Sequence, residues 1–96
     1  MNINDIVTVI ASSGEYVGKM KSVEPLTLEN PRMVIRNPEN GEMGFARGIA
    51  VTGEENAKEA TFNQYVFVVP TNEPVKNAFQ EATGEVITPP KPSIVT

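Results

Sequence analysis

The chain contains neither cysteine nor histidine. The lack of cysteine excludes disulfides and thiolate metal sites, and the lack of histidine excludes imidazole ligands and the usual proton carrier near neutral pH. Nucleophile pairs of the Ser-His-Asp and Cys-His types are excluded as well. We therefore expect a protein that is not an enzyme and that has no catalytic residue, no cofactor and no metal site.

Positive charge is also scarce, because 8 Lys and Arg residues stand against 12 Asp and Glu residues, for a formal net charge of −4. This balance argues against wrapping nucleic acid by bulk electrostatics, although an acidic protein can still carry a local basic ring. No apolar run approaches the roughly 18 residues of a membrane span. The polar segment 1–5 lacks the basic and apolar regions of a signal peptide. We expect a cytoplasmic protein without a membrane partner or a small-molecule substrate.

The N-terminal part of the chain predicts a β-hairpin. Ile6–Ile10 is a β-branched run typical of a strand covered on both sides. The segment Ser12-Ser13-Gly14 supplies the turn, in which glycine can take a positive φ. In the following strand Tyr16 and Met20 share one face and are predicted core residues. Gly18 between them favours a sharp bend, as at the corner of a small closed barrel, and a β-bulge in an open sheet is the alternative.

Prolines and glycines divide the middle of the chain. Pro25 ends the second strand, and Leu26–Leu28 begins another. We expect Asn30-Pro31 to interrupt this strand and shift its register before Met33–Ile35 continues it. The segment 37–41, which contains Pro38 and the Asn-Gly pair, predicts a tight turn.

The next strand is predicted over Met43–Val51, with large side chains and Arg47 on one face and glycine, alanine and threonine on the other. Such a bare face favours a strongly curved sheet that closes into a barrel. Arg47 must reach solvent, a carboxylate or a ligand, because a buried unpaired guanidinium is very costly. The acidic segment 54–61 is predicted to be an exposed loop or a single helical turn, and its Glu54-Glu55 pair is explained better by solvation than as a catalytic dyad.

The C-terminal part predicts one more strand and a helix. Tyr65–Val69 is apolar on both faces, which in so small a chain indicates burial against another subunit. A short helix is predicted from a cap at 71–73, Pro74 in the first turn, an amphipathic pattern and Gly84 at the end. Residues 1–84 should form the domain, and the proline-rich segment 85–96 an extended tail.

This order of strands resembles the Sm-like family, which includes the LSm and Hfq-like proteins, and more closely the small Sm-like proteins encoded by bacteriophages that infect cyanobacteria. The resemblance covers about residues 6–70. It is carried by Val7-Thr8-Val9, Gly14, Tyr16-Val17-Gly18-Lys19-Met20, Glu24, Leu26-Thr27-Leu28 and Arg47-Gly48. It implies an all-β fold, a small, strongly bent, five-stranded barrel, here with a short C-terminal helix.

The resemblance also implies a function. The chain would form a homo-oligomeric ring, from pentamer to heptamer, that binds single-stranded RNA, in the host cytoplasm if the protein is of phage origin. The RNA-binding residues would be Lys19, Lys21, Glu24, Thr27, Arg47 and Gly48. The oligomer interface would use Phe45, Ile49, Tyr65, Val66, Phe67, Val68 and Val69. The acidic balance and the prolyl tail leave an alternative open, a phage or host assembly protein whose ring binds protein and not RNA.

Overall fold

The computed structural model describes residues 1–46, 48–50 and 52–84. The predicted tail 85–96, Arg47 and Val51 therefore lie outside the described residues. The elements are β1 (Ile6–Ala11), β2 (Gly14–Ser22), β3 (Leu26–Arg36), β4 (Met43–Phe45), β5 (Glu59–Phe62), β6 (Phe67–Pro70) and α1 (Glu73–Thr83). The fold is mostly β, with one short C-terminal helix, as expected from the sequence.

The strands form one antiparallel sheet in the order β4-β3-β2-β1-β6, and β5 also pairs with β3. One edge of the sheet is therefore β6, and the other edge is shared by β4 and β5. In the described part of the chain these two edges do not pair, so the sheet is not closed into the predicted barrel. The sheet has six strands and not the predicted five. The reason is that the long strand β3 divides its outer edge between two short partners, β5 along Leu26–Glu29 and β4 along Val34–Arg36.

The first hairpin is confirmed. Ala11 pairs with Gly14 across the Ser12-Ser13 turn, and Gly14 has a φ of 152°. The predicted interruption at Asn30-Pro31 is wrong, because β3 runs through it without a break. The predicted change of register is present, since the β2–β3 pairing shifts between Val17 and Lys19 and Asn30 takes a positive φ of 54°.

The predicted strand Met43–Val51 is wrong in its second half, because β4 ends at Phe45 and Gly48 forms only an isolated bridge with Glu55. Small residues offer few side chains to pack against a neighbouring strand, and the pairing stops where they dominate the sequence. The predicted loop over 54–61 is wrong at its end, where β5 begins at Glu59. The last strand begins at Phe67, two residues later than predicted.

Two apolar clusters lie on opposite faces of the sheet. One cluster contains Val7, Val9, Met20, Leu26 and Leu28, with Phe62 and Val68 packed against it. The other contains Ile6, Val17 and Phe79, with Val34, Phe45 and Val75 packed against it. Because Phe79 and Val75 belong to α1, the second face is called the helix face below. The predicted core residues Tyr16 and Met20 are both buried, which confirms them.

The C-terminal helix is confirmed with the expected ends. The side chain of Asn72 accepts a hydrogen bond from the backbone N–H of Val75 at 3.0 Å, so it caps the first turn. Gly84 ends the helix in the left-handed conformation, with a φ of 74°. Phe79 is fully buried and meets Phe45 edge to face, with the ring centroids 6.1 Å apart. This contact holds α1 against β4.

Candidate functional site

A recess of about 180 Å³ lies where the β2–β3 turn meets the loop between β5 and β6. Its lining residues are Glu24, Pro25, Leu26, Phe62, Asn63 and Tyr65. The pairing of β3 with β5 creates this recess, because Leu26 lies opposite Phe62 and Thr27 opposite Thr61. The turn before β3 and the loop after β5 are thereby brought to the same end of the sheet.

The recess combines three different polar or aromatic groups. Glu24 is exposed and presents a carboxylate, which accepts hydrogen bonds when ionised. Asn63 is exposed and presents a side-chain amide, which can both donate and accept. Tyr65 is 40% exposed, and its ring offers a flat apolar surface with a hydroxyl at its tip. Together they can receive a planar ligand that has hydrogen-bonding groups along its edge.

Hydrogen bonds hold the turn that forms one wall of the recess. The hydroxyls of Ser22 and Thr27 both donate to the carbonyl oxygen of Pro25, at 2.8 and 3.3 Å. The hydroxyl of Thr27 also lies 3.1 Å from that of Thr61 on β5. Thr27 is only 7% exposed, so it stands behind the wall and does not line the recess. In this geometry Thr27 positions the turn that carries Glu24.

The two lysines predicted for RNA binding lie beside carboxylates. Lys21 forms an ion pair and a hydrogen bond with Glu59 of β5. The hydrogen bond that Lys21 donates to Glu59, and then the negative charge of Glu59, raise the pKa of Lys21 above its ordinary value, and Glu29 contributes further in the same direction. Lys19 is half-buried and lies opposite Glu29 in the β2–β3 pairing. The surface around Lys19 and Lys21 is therefore of mixed charge.

The remaining predicted RNA-binding residues belong to the segment after β4. Arg47 lies outside the described residues. Gly48 is half-buried and does not line the recess. The described arginine that is buried is Arg32, whose guanidinium donates to the carbonyl oxygen of Pro31 at 3.0 Å, and burial lowers its pKa.

The residues predicted for the oligomer interface divide into two groups. The first group is a run of large apolar side chains that each expose 40% or more of their surface, which is unusual: Tyr65, Val66, Phe67 and Val69. Val68, between two of them, packs instead against the chain's own core. Phe45 is half-buried against α1, and Ile49 is half-buried outside the named strands.

Among residues 1–46, 48–50 and 52–84, no group of three or more carboxylate, cysteine or histidine side chains could hold a metal ion. No helix in that same part of the chain is long and apolar enough to cross a membrane.

Sequence reasoning missed Asn63 and placed Tyr65 in a strand. Both residues lie in the loop after β5, and β5 itself was read as part of an acidic loop. The available signal was the segment Glu59–Phe62, which alternates polar and less polar side chains and ends in an aromatic residue. Recognising it as a strand would have placed Asn63 and Tyr65 in a loop that follows a strand.

Comparison of the chain with protein-family models, with curated proteins and with solved structures finds no match.

Proposed function

We propose that the chain is an Sm-like subunit of a homo-oligomeric ring that binds single-stranded RNA, and that the recess beside Glu24 receives a base. The observation that carries the proposal is the meeting of a carboxylate, an amide and an exposed aromatic ring in one recess, at Glu24, Asn63 and Tyr65. An unpaired base presents a flat face and a polar edge, and proteins commonly bind it by stacking and edge hydrogen bonds.

Each group in the recess has a role in this proposal. Tyr65 provides the surface on which a base stacks, an interaction that is worth about 1–3 kcal/mol per base. Glu24 accepts a hydrogen bond from a base N–H, and the amide of Asn63 pairs with a carbonyl or a second N–H. A base in a duplex has its edge occupied, so the recess suits single strands.

The sheet supports the ring. In Sm-like rings the fourth strand of one subunit pairs with the fifth strand of the next. In the described part of this chain β6 pairs only with β1, and β4 and β5 pair only with β3, so the outer edges of these three strands are free. Pairing between copies covers both edges, which would otherwise invite aggregation. A ring also repeats the recess around an axis, so one strand of RNA meets several copies of it.

The charges determine what kind of affinity to expect. The formal net charge is −4, and Lys21 is already paired with Glu59. The neutralisation of RNA phosphates by basic side chains then contributes less to the affinity than base stacking and hydrogen bonding do. We expect the affinity for RNA to fall only weakly as the salt concentration rises.

Fluorescence anisotropy with short U-rich and A-rich RNAs tests the proposal. The wild-type protein should bind at least one of them saturably. Tyr65→Ala should weaken binding about 5- to 100-fold, because the stacking surface is lost, and Tyr65→Phe, which keeps the ring, should retain most of the affinity. Asn77→Ala, a substitution of an exposed residue of α1 that lies outside the recess, serves as the control. An absence of saturable binding by the wild-type protein would overturn the RNA-binding function.

A second candidate function is a ring that binds protein and not RNA, in phage or host assembly. The specific observation in its favour is that Glu59 neutralises Lys21 and that Glu29 lies opposite Lys19, so carboxylates accompany both lysines. A pull-down before and after nuclease treatment separates the candidates. Protein partners that survive nuclease support this second candidate, and the loss of every partner contradicts it.

A further inference from the structure

An apolar groove of about 420 Å³ lies on the helix face, between α1 and the β3–β4 pair. Val34 and Phe45 line it from the strands, and Val75 and Ala78 line it from the helix. Small-molecule sites in proteins usually measure about 300–1,000 Å³ and are mostly apolar, with a few polar groups that orient the ligand. The groove has the size and the apolar walls of such a site.

The polar group in this groove is a cation. Among the described residues that line the groove, Arg36 carries the one charged or hydrogen-bonding side chain, and the others are apolar residues or glycine. A guanidinium is always charged in proteins, and it binds carboxylates through two parallel hydrogen bonds. The lining therefore selects for a ligand that is apolar along most of its length and carries one anionic group.

The register of β3 and β4 places this cation at the outer end of the groove. Val34 lies opposite Phe45, and Arg36 lies opposite Met43. Residues opposite each other in a sheet share a face, and so do residues two apart in a strand. Val34 and Phe45 pack against the cluster that contains Phe79 and form the inner end. Arg36 and Met43 are exposed and form the outer end.

The turn between β3 and β4 positions the guanidinium of Arg36 without neutralising it. Its two terminal nitrogens lie 3.4 Å from the carbonyl oxygen of Gly41 and 3.5 Å from the sulfur of Met43. Both of these acceptors are uncharged. Within the part of the chain that the structure describes, no carboxylate forms an ion pair with Arg36. Most of its five N–H donors are left for an anionic ligand or for water.

We propose that this groove binds a medium-chain fatty acid such as octanoate. The aliphatic chain lies between Phe45 and Val75, and the carboxylate accepts hydrogen bonds from Arg36 at the outer end. Burial of the chain removes apolar surface from water on both sides of the contact. Met43 is unbranched and flexible, so it can follow the shape of the bound chain.

The groove is separate from the recess proposed to bind RNA. The recess adjoins Leu26 at the first residue of β3, and the groove adjoins Arg36 at the last. Tyr65→Ala, which removes the stacking surface of the recess, should therefore leave the affinity for octanoate unchanged. Either site can fail its test without the other.

Isothermal titration calorimetry with the full chain tests the ligand class. Octanoate should bind saturably. The affinity should rise about fourfold for each CH₂ group added between hexanoate and octanoate, because each added group is buried. Octanol has an apolar chain of the same length but no charge, and it should bind about 10-fold more weakly than octanoate.

Two variants test the two parts of the site. Arg36→Met keeps a long side chain and removes the charge, so it should weaken octanoate binding about 10-fold and leave octanol binding unchanged. Its matched control is Lys76→Met, which removes a charge from α1 outside the groove. Ala78→Trp fills the groove from an exposed position and should abolish the binding of both ligands. Its matched control is Glu81→Trp, on the same helix but outside the groove.

Nuclear magnetic resonance locates the bound chain. Octanoate should shift the methyl signals of Val75 and Ala78 more than those of Val7, which belongs to the other apolar cluster. Equal shifts in both clusters would contradict a site in the groove. If circular dichroism shows that Ala78→Trp is unfolded, these shifts and the Arg36→Met variant decide the question.

Three results would overturn the proposal. They are no saturable binding of octanoate, equal affinities for octanoate and octanol, and an unchanged affinity for octanoate in Arg36→Met. Nuclear Overhauser contacts in the ligand-free protein between Val75 and residues 85–96, or between Val75 and a second copy of the chain, would also overturn it. Another segment of protein would then occupy the groove.

Discussion

Leu28 lies directly against Gly18 across the β2–β3 pair. A Cβ atom added to Gly18 would lie 2.8 Å from the Cβ atom of Leu28 and 3.0 Å from its Cδ1 atom. Leu28 is fully buried, and the register of the two strands shifts beside Gly18. The missing side chain thus lets β3 approach β2 closely in an open sheet. This agrees with a β-bulge in an open sheet at Gly18 and not with the corner of a closed barrel.

Gly18→Ala should lower the free energy of unfolding by about 1–3 kcal/mol, the usual cost of overpacking a core. The matched control is Gly44→Ala, because the added methyl group there meets no atom within 4 Å. That substitution should be neutral or stabilise the fold by up to about 1 kcal/mol, since alanine restricts the unfolded chain. Urea unfolding of the three proteins measures both effects, and equal stabilities would contradict the close approach.

The strands and the helix with strong local signals could be predicted from the sequence. The β-branched run at Ile6–Ile10, the turn glycine Gly14 and the capped pattern around Phe79 were all assigned correctly, since each signal resides in neighbouring residues. The strand β5 was missed because Glu59–Phe62 has little apolar character of its own. It becomes a strand by pairing with β3, which is a tertiary effect.

The candidate site was predicted only in part for the same reason. Glu24 was named through the resemblance to the Sm-like family, whereas Asn63 carries no signal until the β3–β5 pairing brings it beside Pro25. The resemblance named Lys21 as an RNA-binding residue, but the pattern of β2 alone could not reveal Glu59 beside it. Alternation along one strand cannot show what the neighbouring strand contributes.

The ion pair between Lys21 and Glu59 predicts a pH dependence. Glu59 raises the pKa of Lys21 in the folded chain. The pair therefore contributes its full stability below the ordinary lysine pKa of about 10.4 and loses it as the pH rises through the raised value. Lys21→Met should be less stable than the wild-type protein at neutral pH, and the difference should shrink above about pH 10.4.

A double-mutant cycle controls for other effects of removing Lys21. In a Glu59→Gln background, Lys21→Met should change the free energy of unfolding by a smaller amount than it does in the wild-type protein. This smaller change should also depend less on pH. Because both side chains are largely exposed, added salt should also reduce the difference. A Lys21→Met effect that is the same in both backgrounds would show that the pair contributes nothing.

Glu24 provides a test of how the recess would treat RNA. If its carboxylate accepts a hydrogen bond from a base, Glu24→Gln should weaken binding about 10-fold, as expected for a lost charge-assisted hydrogen bond. If Glu24 only adds negative charge near the RNA, the same substitution should strengthen binding, because repulsion of phosphates is reduced. Glu39→Gln, which removes the same charge from the exposed turn before β4, is the matched control. An affinity that rises equally in both variants contradicts a base contact by Glu24.

The last prediction uses two adjacent residues of β6 to separate folding from assembly. Val68 lies opposite Val9 and packs against the chain's own core, whereas Val69 lies on the helix face and is 40% exposed. Val68→Lys should lower the free energy of unfolding by about 2 kcal/mol or more, because it places a charge against an apolar cluster. Val69→Lys should keep the stability of the single chain within about 0.5 kcal/mol, as is usual for an exposed position, but it should abolish the oligomer. Circular dichroism at low protein concentration measures the first effect, and light scattering the second. If Val69→Lys retains the wild-type mass, the outer face of β6 does not form the contact between subunits, and the assembly must use another surface.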